Sequence, residues 1–554
     1  MANTVYGIDL GTTYSCISRV DRFGRPEVLS NLDNEPTTPS VVLFDGDDQV
    51  VVGKQAKRQA RINPDNVASL VKRSMGDHEW RFSAQGKEWS APAISAFILK
   101  ALAADVERQT GEPVTDVVIT VPAYFGDEER KATKLAGEYA GMNVVDIINE
   151  PTAAAFAYGF ASQGTEAETV LVYDLGGGTF DVTVIELSDK RIKVITTDGD
   201  HELGGADWDA RLATHLSERF MEECPDAEDP LDDSSGSQAL VLAAERAKHQ
   251  LSDADSTDVV VAHDGARSTV RLTRPELEEM TAPLLRRTLD LTRACLAEAG
   301  RRGVDRVDRV LLVGGSSRMP VVAAALRDEL GLEARLHDPD LAVARGAALY
   351  GEKKELERMV TADLRTRGRL RDGVPLDDAA APDLDDACRR VADAYGVPLA
   401  QVRRAVEIQV DTVVSRGFGV LAINGYTGRL EASWLVHRND RLPIRTSRSY
   451  GTMRADQDVI QVTVVEQQGQ AESSRPEDVK ILIVGEITGI PPGYDEGSEV
   501  RVTFEMGFDG VLQVTAFHVD ASLPLQLTAT TGATLSQAEV ARERDQLGKT
   551  RRRE

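Results

Sequence analysis

Two segments far apart in the chain have nearly the same sequence, and both carry residue types that could bind a polyphosphate. Residues 7–13 read GIDLGTT and residues 173–179 read YDLGGGT, so each passes from apolar residues into Asp-Leu-Gly and a hydroxyl. An apolar strand that turns sharply at glycine exposes backbone N–H groups that can cradle phosphate oxygens. The aspartate at the strand end can hold a hydrated divalent cation between those phosphates. The repeat therefore predicts two facing halves that surround a nucleoside triphosphate.

Three further segments support this prediction when they are taken together. Residues 203–209 (LGGADWD) and 312–318 (LVGGSSR) are additional glycine turns, and the serine and arginine of the second suit a ribose or an adenine. Residues 149–155 place a carboxylate before a proline-started, alanine-rich helix whose N-terminus attracts anions. Any one of these segments alone is also compatible with an ordinary loop. The consecutive glycines at 176–178 are the strongest signal, because glycine after a buried strand serves where something must approach the backbone closely.

Composition limits the class of partner and the cellular location. The chain of 554 residues has 90 Asp and Glu against 64 Lys and Arg, and its net charge of −26 repels a phosphate backbone, so no nucleic acid partner is expected. Only the arginines at 551–553 could form a local basic patch. The 4 cysteines are widely separated, which argues against a zinc site or a disulfide framework and for reduced thiols. No run of about 18 apolar residues occurs, so we expect no membrane insertion and a cytoplasmic protein.

The pattern of apolar residues divides the chain into four parts. From residue 1 to 351, short apolar runs alternate with stretches of helical period, which predicts mixed sheets covered by helices. Residues 352–407 are charged and are predicted to form an insert or linker. Residues 408–532 alternate apolar and polar side chains between turn signals, which predicts a compact antiparallel β domain. Residues 533–554 leave room only for a truncated helical tail.

Local signals predict short helices in the insert and in the tail. Leu384, Cys388 and Val391 share one helical face, so the second half of the insert is expected to form two short helices. Its first half has little apolar periodicity and is expected to be exposed. Ser536 and Glu539 are spaced as a capping box, which predicts the start of the final helix.

In this order and wording, the glycine turns resemble those of the DnaK-type seventy-kilodalton heat-shock chaperones. Residues 120–125 (TVPAYF) also match that family, and the resemblance is close from about residue 5 to 351 and looser from about 411 to 529. It implies an α/β, actin-like, two-lobed ATPase domain whose lobes open and close with the nucleotide state. An all-β sandwich that binds peptide and a short C-terminal helix would follow.

The same resemblance implies a role for each residue of the cleft. Lys72 matches the family's catalytic lysine, Glu150 the carboxylate that orders the attacking water, and Thr179 the hydroxyl near the γ-phosphate. The aspartates match the acidic residues that position Mg²⁺ and K⁺. The residues that match the family's catalytic and metal-binding set are Asp9, Lys72, Glu150, Asp174, Thr179 and Asp181. The residues that match its contacts with ATP or ADP are Gly11, Thr12, Thr13, Tyr14, Gly176, Gly177, Gly178, Gly204, Gly205, Glu245, Lys248, Ser252, Gly314, Gly315, Ser316, Arg318 and Asp340.

The β domain is similar to the family's peptide-binding sandwich, with two altered elements around it. The insert replaces a short linker that couples ATP to peptide binding in the family, and the helical lid over the peptide is expected to be missing beyond its first turns. The residues that fall where the family lines its groove are Val420, Ala422, Ile423, Tyr450, Met453, Ile460 and Val462. Each of them is also compatible with a place in the sandwich core. Extended peptides are held by backbone hydrogen bonds, and apolar pockets add side-chain preference.

These features predict an ATP-hydrolysing chaperone that binds unfolded or extended apolar polypeptide. The resemblance implies two kinds of helper, a J-domain cochaperone and a nucleotide exchange factor. Two other classes stay open: an ATP-gated assembly factor with one dedicated partner, and a small-molecule kinase. The kinase would share the glycine turns but leaves the β domain without a role.

Overall fold

Each of the two glycine turns joins an antiparallel pair of strands. The computed structural model describes residues 4–46, 48–162, 167–188, 190–469, 471–524, 526–529 and 537–553. The elements of the first lobe are β1 (Val5–Asp9), β2 (Tyr14–Val20), β3 (Pro26–Leu29), β4 (Thr38–Pro39), β5 (Val42–Phe44), β6 (Gln49–Val52), α1 (Lys54–Gln59), β7 (Val67–Ala68), β8 (Phe82–Ala84), β9 (Lys87–Trp89), α2 (Ala91–Thr110), β10 (Asp116–Val121), α3 (Asp127–Tyr139), β11 (Asn143–Asn149) and α4 (Glu150–Ser162).

The first lobe is organised around β1, the strand that leads into the first glycine turn. Its sheet has the order β11-β10-β1-β2-β3, with β4 beside β2. β1 runs parallel to β10 and antiparallel to β2. Tyr6 and Ile8 of β1 are buried in the same apolar core as Ile94 and Phe97 of α2. This packing fixes the strand and holds Asp9 at its end.

The second lobe follows from residue 168. Its elements are β12 (Glu168–Leu175), β13 (Phe180–Ser188), β14 (Arg191–Asp200), α5 (Gly205–Glu223), α6 (Ser234–Asp253), β15 (Ser256–His263), β16 (Ala266–Thr273), α7 (Arg274–Arg301), β17 (Arg309–Val313), α8 (Pro320–Leu330), β18 (Ala334–Leu336) and α9 (Ala342–Thr366).

The second lobe repeats the arrangement of the first. Its sheet has the order β18-β17-β12-β13-β14, in which β12 is antiparallel to β13 and parallel to β17. In both lobes, the strand before the glycine turn therefore lies between one antiparallel and one parallel neighbour. The predicted α/β fold with two facing lobes is confirmed.

Helix α9 packs closely against the strand and helix that lead into the cleft. A Cβ added at Gly7 of β1 would lie 2.1 Å from the backbone nitrogen of Ala348, and one added at Gly346 would lie 1.7 Å from the carbonyl oxygen of Ala153 in α4. Backbone atoms cannot yield as a flexible side chain can, so both glycines are required by close approach. The helix thereby connects β1 and α4 of the first lobe with the insert.

The insert is more ordered than the sequence predicted. Helix α9 continues to Thr366, because Leu356, Val360 and Leu364 recur at helical spacing and are buried. The expectation of an exposed stretch from residue 353 is therefore wrong for its first part. The two short helices are present, and they pack on α9. They are α10 (Ala381–Tyr395) and α11 (Leu399–Glu407).

The predicted all-β region forms two stacked antiparallel sheets. Their orders are β21-β20-β24-β25-β29 and β23-β26-β27-β28, and Phe418, Leu482 and Phe504 share the core between them. The strands from the insert to the end of the sandwich are β19 (Gln409–Val413), β20 (Phe418–Ile423), β21 (Leu430–Val436), β22 (Arg441–Leu442), β23 (Ile444–Gly451), β24 (Val459–Gln467), β25 (Val479–Thr488), β26 (Glu499–Met506), β27 (Leu512–His518), β28 (Leu523–Pro524) and β29 (Gln526–Ala529).

Strand β19 connects the sandwich with the second lobe. It runs parallel to β14, with Ile192 opposite Val410, and antiparallel to β22, with Thr412 opposite Leu442. The segment that follows the insert is therefore docked as a strand in the sheet of the second lobe.

The tail packs on the first lobe through helix α12 (Gln537–Lys549) and strand β30 (Arg551–Arg552). Leu547 is buried in the core of that lobe, and β30 pairs in parallel with β6. Arg552 donates to Asp105 Oδ1 at 2.6 Å, and Arg553 forms an ion pair with Asp45. The terminal arginines are thus engaged within the chain. Ser536 of the predicted capping box lies outside the described residues.

Across the part of the chain that the structure describes, every helix falls short of the length or the apolar character needed to cross a bilayer.

Candidate functional site

A cleft of about 560 Å³ lies between the two lobes, and both glycine turns line it. The turns touch: a Cβ added at Gly177 would lie 2.1 Å from Thr13 Oγ1, and one added at Gly178 would lie 2.2 Å from Thr12 Cγ2. Glycine is therefore required where the two lobes meet. The predicted residues that line the cleft are Asp9, Gly11, Thr12, Thr13, Tyr14, Lys72, Glu150, Asp174, Gly176, Gly177, Thr179, Gly205, Glu245, Lys248, Ser252, Gly314, Gly315, Ser316, Arg318 and Asp340.

Three predicted residues lie just behind this wall: Asp181, Gly178 and Gly204. Asp181 accepts a hydrogen bond from the Tyr124 backbone N–H at 3.1 Å. A Cβ added at Gly204 would lie 2.6 Å from the backbone of Gly178, so this pair brings α5 against the second glycine turn. These three residues lie directly beneath the residues that line the cleft.

Helix α5 orients the second glycine turn. The backbone N–H of Gly205 donates to Gly176 O at 3.0 Å, and that of Ala206 donates to Gly177 O at 2.8 Å. In a planar trans peptide the N–H points away from the C=O. The two carbonyls face the helix, so the N–H groups of the same peptides point the opposite way. This is the arrangement that a phosphate cradle needs.

Burial and close approach disfavour ionisation of the acidic side chains around the cleft. Burial raises the pKa of Asp9 to about 7 and that of Asp181 to about 8, and the charge of Glu150 adds to the rise in both. Burial also raises the pKa of Asp174 well above its ordinary value, again with Glu150 as the next cause. Lys72 counteracts these shifts but is a single cation. A bound cation would allow these carboxyls to ionise.

The residues of the cleft fit a hydrated Mg²⁺. In phosphoryl-transfer sites, this ion keeps several waters and binds one or two carboxylates together with substrate phosphates. Asp9 and Asp174 stand at the ends of β1 and β12, on the two sides of the cleft, and both line it. Among the described residues, no three His, Cys, Asp or Glu side chains converge closely enough to hold a metal by themselves.

Lys72 and Glu150 form a buried ion pair inside the cleft, with Nζ 2.5 Å from Oε1. Lys72 belongs to a 3₁₀ turn, Val71–Ser74, which follows Leu70 in the left-handed region at φ 56°. Glu150 is the first residue of α4. The lysine is thus held by a carboxylate, and both groups are oriented before any ligand binds.

The opposite end of the cleft is built from α6 and the turn after β17. Glu245, Lys248 and Ser252 lie on α6, and Lys248 donates to Asp209 Oδ2 and to the carbonyl oxygen of Gly205, both at 2.9 Å. Arg318 and Asp340 form an ion pair on the other side. Burial lowers the pKa of His249, which favours the neutral ring.

An ion pair at the rim of the cleft was missed by the sequence analysis. Lys57 of α1 in the first lobe donates to Glu245 Oε1 at 2.7 Å and to the Tyr14 hydroxyl at 3.1 Å. Lys57 has no sequence signal, because an isolated lysine on a short helix resembles any exposed lysine. The other lining residues that the sequence analysis did not assign to the cleft are Thr37, Ala206, Asp209, Asp253, Val313, Met319, Leu336, Pro339 and Val343.

The predicted peptide-groove residues fall into three groups: buried, half-buried and exposed. Val420 and Val462 belong to the sandwich core, and Ile460 belongs to a smaller buried cluster. Ala422 and Tyr450 are half-buried, and the Tyr450 hydroxyl donates to Ser433 Oγ at 3.0 Å. The exposed members are Ile423, at 42%, and Met453, at 66%. The groove as a whole stays a prediction.

The sandwich contacts the first lobe close to Glu150. Arg130 of α3 donates to Asn149 Oδ1 at 2.7 Å and to the Asp509 carbonyl oxygen in the sandwich at 3.3 Å. Asp127 Oδ1 accepts the Leu512 N–H at 2.8 Å. A residue next to Glu150 is therefore connected to the β domain through one arginine.

A second set of contacts across this interface is ionic. Arg416 lies 3.3 Å from Glu466 and 3.5 Å from Glu129 of α3. Lys480 of the sandwich pairs with Glu128. Burial raises the pKa of Glu466 to about 7, and the Arg416 charge opposes that rise.

The raised pKa of Asp181 predicts how the ligand-free protein responds to pH. Below about pH 4 the carboxyl is protonated in both folded and unfolded chains, and its contribution to stability is fully present. That contribution is lost as pH rises through the folded pKa of about 8. We expect Asp181→Asn to raise the melting temperature, relative to the unmodified protein, more at pH 9 than at pH 5.

Thermal unfolding of metal-free protein in chelator measures this effect. Asp255→Asn is the control, because the Asp255 side chain is 95% exposed. A difference between Asp181→Asn and the unmodified protein that stays constant from pH 5 to 9 would contradict the prediction.

The comparison with known families agrees with this geometry. The family model described as Hsp70 protein matches residues 5–360 and 407–554. The match covers well over half of the chain, and the stretch it leaves out between residues 360 and 407 contains α10 and all but the last residue of α11. The chain belongs to the Hsp70 family, whose members are ATP-dependent chaperones.

Proposed function

We propose that the protein binds and hydrolyses ATP in the cleft and that the nucleotide state controls how its β-sandwich holds extended apolar polypeptide. The observation that carries this proposal is the contact of Arg130 with both Asn149, beside Glu150, and Asp509 of the sandwich. If Glu150 is displaced during the ATP cycle, Arg130 would therefore transmit that displacement to the sandwich.

The reaction is the transfer of the γ-phosphoryl group of ATP to water. The bond between the γ-phosphorus and the β,γ-bridging oxygen breaks, a bond from the γ-phosphorus to the water oxygen forms, and the water loses a proton. ADP, inorganic phosphate and one proton are the products. Such a reaction depends mainly on positioning and on electrostatic stabilisation.

The residues of the cleft provide both requirements. The turns at 11–13 and 176–178 would hold the phosphates through backbone N–H groups, and Lys72 would offset charge on the transferring phosphoryl group. Glu150 would orient the attacking water, and the Thr179 hydroxyl would lie beside the γ-phosphate. When bound, Mg²⁺ and K⁺ would offset charge on the β- and γ-phosphates. Asp9, Asp174 and Asp181 are the residues that would hold these cations.

Removal of Lys72 or Thr179 should separate catalysis from binding. We expect Lys72→Ala and Thr179→Ala to reduce single-turnover hydrolysis by about 100-fold, with ATP affinity within roughly tenfold, because both groups act on the phosphoryl rather than on the adenosine. Quenched-flow hydrolysis and calorimetric titration with ATP and Mg²⁺ measure the two quantities. Lys193→Ala, which removes a partly exposed lysine paired with Glu186, is the control. Unchanged hydrolysis in both cleft variants would remove the assignment.

Coupling between the cleft and the sandwich should depend on the guanidinium fork of Arg130. Arg130→Lys keeps the charge, but its single ammonium nitrogen cannot span Asn149 and Asp509 as the two terminal nitrogens of the guanidinium do. We expect ATP to accelerate peptide release from the unmodified protein, and this acceleration to be lost in Arg130→Lys. Release of a fluorescent peptide with and without ATP measures it, and Lys134→Ala, an exposed change on the same helix, is the control. No effect of ATP on the unmodified protein would refute the coupling.

The exposed side chain of Met453 tests the predicted groove. We expect Met453→Asp to weaken capture of an apolar heptapeptide by at least about tenfold, because a carboxylate replaces apolar contact area. Basal ATP hydrolysis should stay unchanged. Fluorescence anisotropy measures peptide binding, and Ile481→Asp, a second exposed apolar position, is the matched control. Equal affinities in the unmodified protein and Met453→Asp would place the groove elsewhere.

A dedicated ATP-gated assembly factor is the second candidate. The stretch outside the family match, which forms α10 and α11, favours it because an added helical unit offers surface for one partner. An array of unrelated heptapeptides distinguishes the two, since a general chaperone binds many apolar sequences and a dedicated factor binds few. Release of inorganic phosphate from ATP without an added acceptor would argue against the third class, a small-molecule kinase.

A further inference from the structure

Arg73 follows Lys72 in the sequence but reaches in a different direction. It belongs to the same turn of the first lobe, and its guanidinium crosses to the second lobe. There, Nε donates to the Gly178 carbonyl oxygen at 2.9 Å, and Nη2 donates to Asp207 Oδ2 at 2.6 Å. Of these two consecutive residues, Lys72 thus binds Glu150, and Arg73 binds the second glycine turn.

The contact with Gly178 completes a series. The carbonyls of Gly176 and Gly177 accept from N–H groups of α5, which belongs to the same lobe. The carbonyl of Gly178 accepts from Arg73, which belongs to the other lobe. A trans peptide is rigid, so this bond also fixes the N–H of Thr179 on the opposite side of the Gly178–Thr179 peptide. The orientation of this third peptide therefore depends on the first lobe.

Asp207 makes the contact specific for arginine. Its Oδ2 also accepts the Gly204 N–H at 2.7 Å at the start of α5, which holds the carboxylate in place. A guanidinium can donate to this carboxylate and to the Gly178 carbonyl simultaneously in one plane, whereas an ammonium is a point charge. The geometry of the pair thus requires both the charge and the fork of Arg73.

The backbone before the turn points to the same constraint. Leu70 has φ 56°, a conformation that side chains rarely adopt. Strained residues of this kind persist where the surroundings over-determine them. Here the surroundings are the hydrogen bonds of the turn that follows. Lys72 is bound to Glu150, and Arg73 is bound to Gly178 and Asp207, so these bonds hold the backbone at Leu70 in its conformation.

We infer that Arg73 is a positioning residue for ATP hydrolysis. Through Arg73, the orientation of the Gly178–Thr179 peptide and of the turn that carries Lys72 depends on closure of the two lobes. When the lobes separate, Arg73 loses its hydrogen bonds with Gly178 and Asp207. The Gly178–Thr179 peptide and the turn that carries Lys72 are then no longer held together by Arg73. The inference rests on the proposed ATP hydrolysis. It adds a residue that acts on the geometry of the site without contacting the reacting atoms.

Substitution of Arg73 tests the inference by separating hydrolysis from binding. We expect Arg73→Ala and Arg73→Lys to reduce single-turnover hydrolysis by about 10- to 100-fold, with ATP affinity within about threefold, because a displaced catalytic group lowers the rate more than the affinity. Millimolar guanidinium ion should restore part of the rate in Arg73→Ala and none in Arg73→Lys, where an ammonium fills the space. Asp207→Asn, which can still accept the Gly204 N–H, should give a smaller loss.

Arg293→Ala is the matched control, since Arg293 forms ion pairs with Asp290 and Glu329 on partly exposed helices. Hydrolysis within about twofold of the unmodified rate in Arg73→Ala would overturn the inference. Equal losses of rate and ATP affinity with no rescue by guanidinium would overturn it as well, because they indicate a merely structural role.

Amide hydrogen exchange of residues 176–180 in the nucleotide-free protein separates this inference from the proposed function. Faster exchange there in Arg73→Ala than in Arg293→Ala supports the contact even if the unmodified protein proves not to hydrolyse ATP. Absence of hydrolysis in the unmodified protein would defeat the proposed function. Unchanged exchange, with hydrolysis intact in all variants, would defeat the inference alone.

Discussion

The structure depends on the contact between the two glycine turns. Gly177 and Gly178 of the second lobe lie so close to Thr13 and Thr12 of the first that no Cβ fits at either glycine. This contact sets the spacing of the lobes, and with it the width of the cleft that Asp9 and Asp174 line from opposite sides. The side chains of the proposed chemistry can face one another because this close contact, formed by glycine backbone and threonine side chains, brings their strands together.

The charge of the cleft follows from that spacing. Facing turns bring Asp9, Asp174, Asp181 and Glu150 into one buried region, where burial and mutual repulsion raise the pKa of the three aspartates. Lys72 pairs with Glu150 and leaves the aspartates without an equal opposite charge. A cation bound beside the aspartates would offset their mutual repulsion and allow them to ionise.

The sequence predicted the cleft far better than the surfaces around it. Glycine turns after apolar strands have strict backbone requirements, so residues such as Gly177 and Gly314 could be assigned from local sequence. Arg73 and Lys57 could not, because their roles arise from contacts with Gly178 and Glu245, which are remote in sequence. Apolar periodicity predicted the mixed sheets of the first part and the antiparallel β domain, whereas the two facing halves were predicted from the repeated glycine turns and the sandwich from the family resemblance. The continuation of α9 beyond residue 351 was not predicted, because its buried side chains are interspersed with charged residues that indicate exposure.

The docked position of β19 has a mechanical consequence. The strand extends the sheet of the second lobe through β14, while Arg130 and Asp127 of the first lobe hold the sandwich at Asp509 and Leu512. The β domain therefore contacts both lobes at once. A rotation of one lobe relative to the other cannot preserve both sets of contacts, because the sandwich core is close-packed and transmits strain rather than absorbing it. Either the sandwich deforms or one interface opens. Arg73 also spans the two lobes. A rotation of one lobe relative to the other would therefore change both the Arg73 bond to the second glycine turn and the contacts at the sandwich interface.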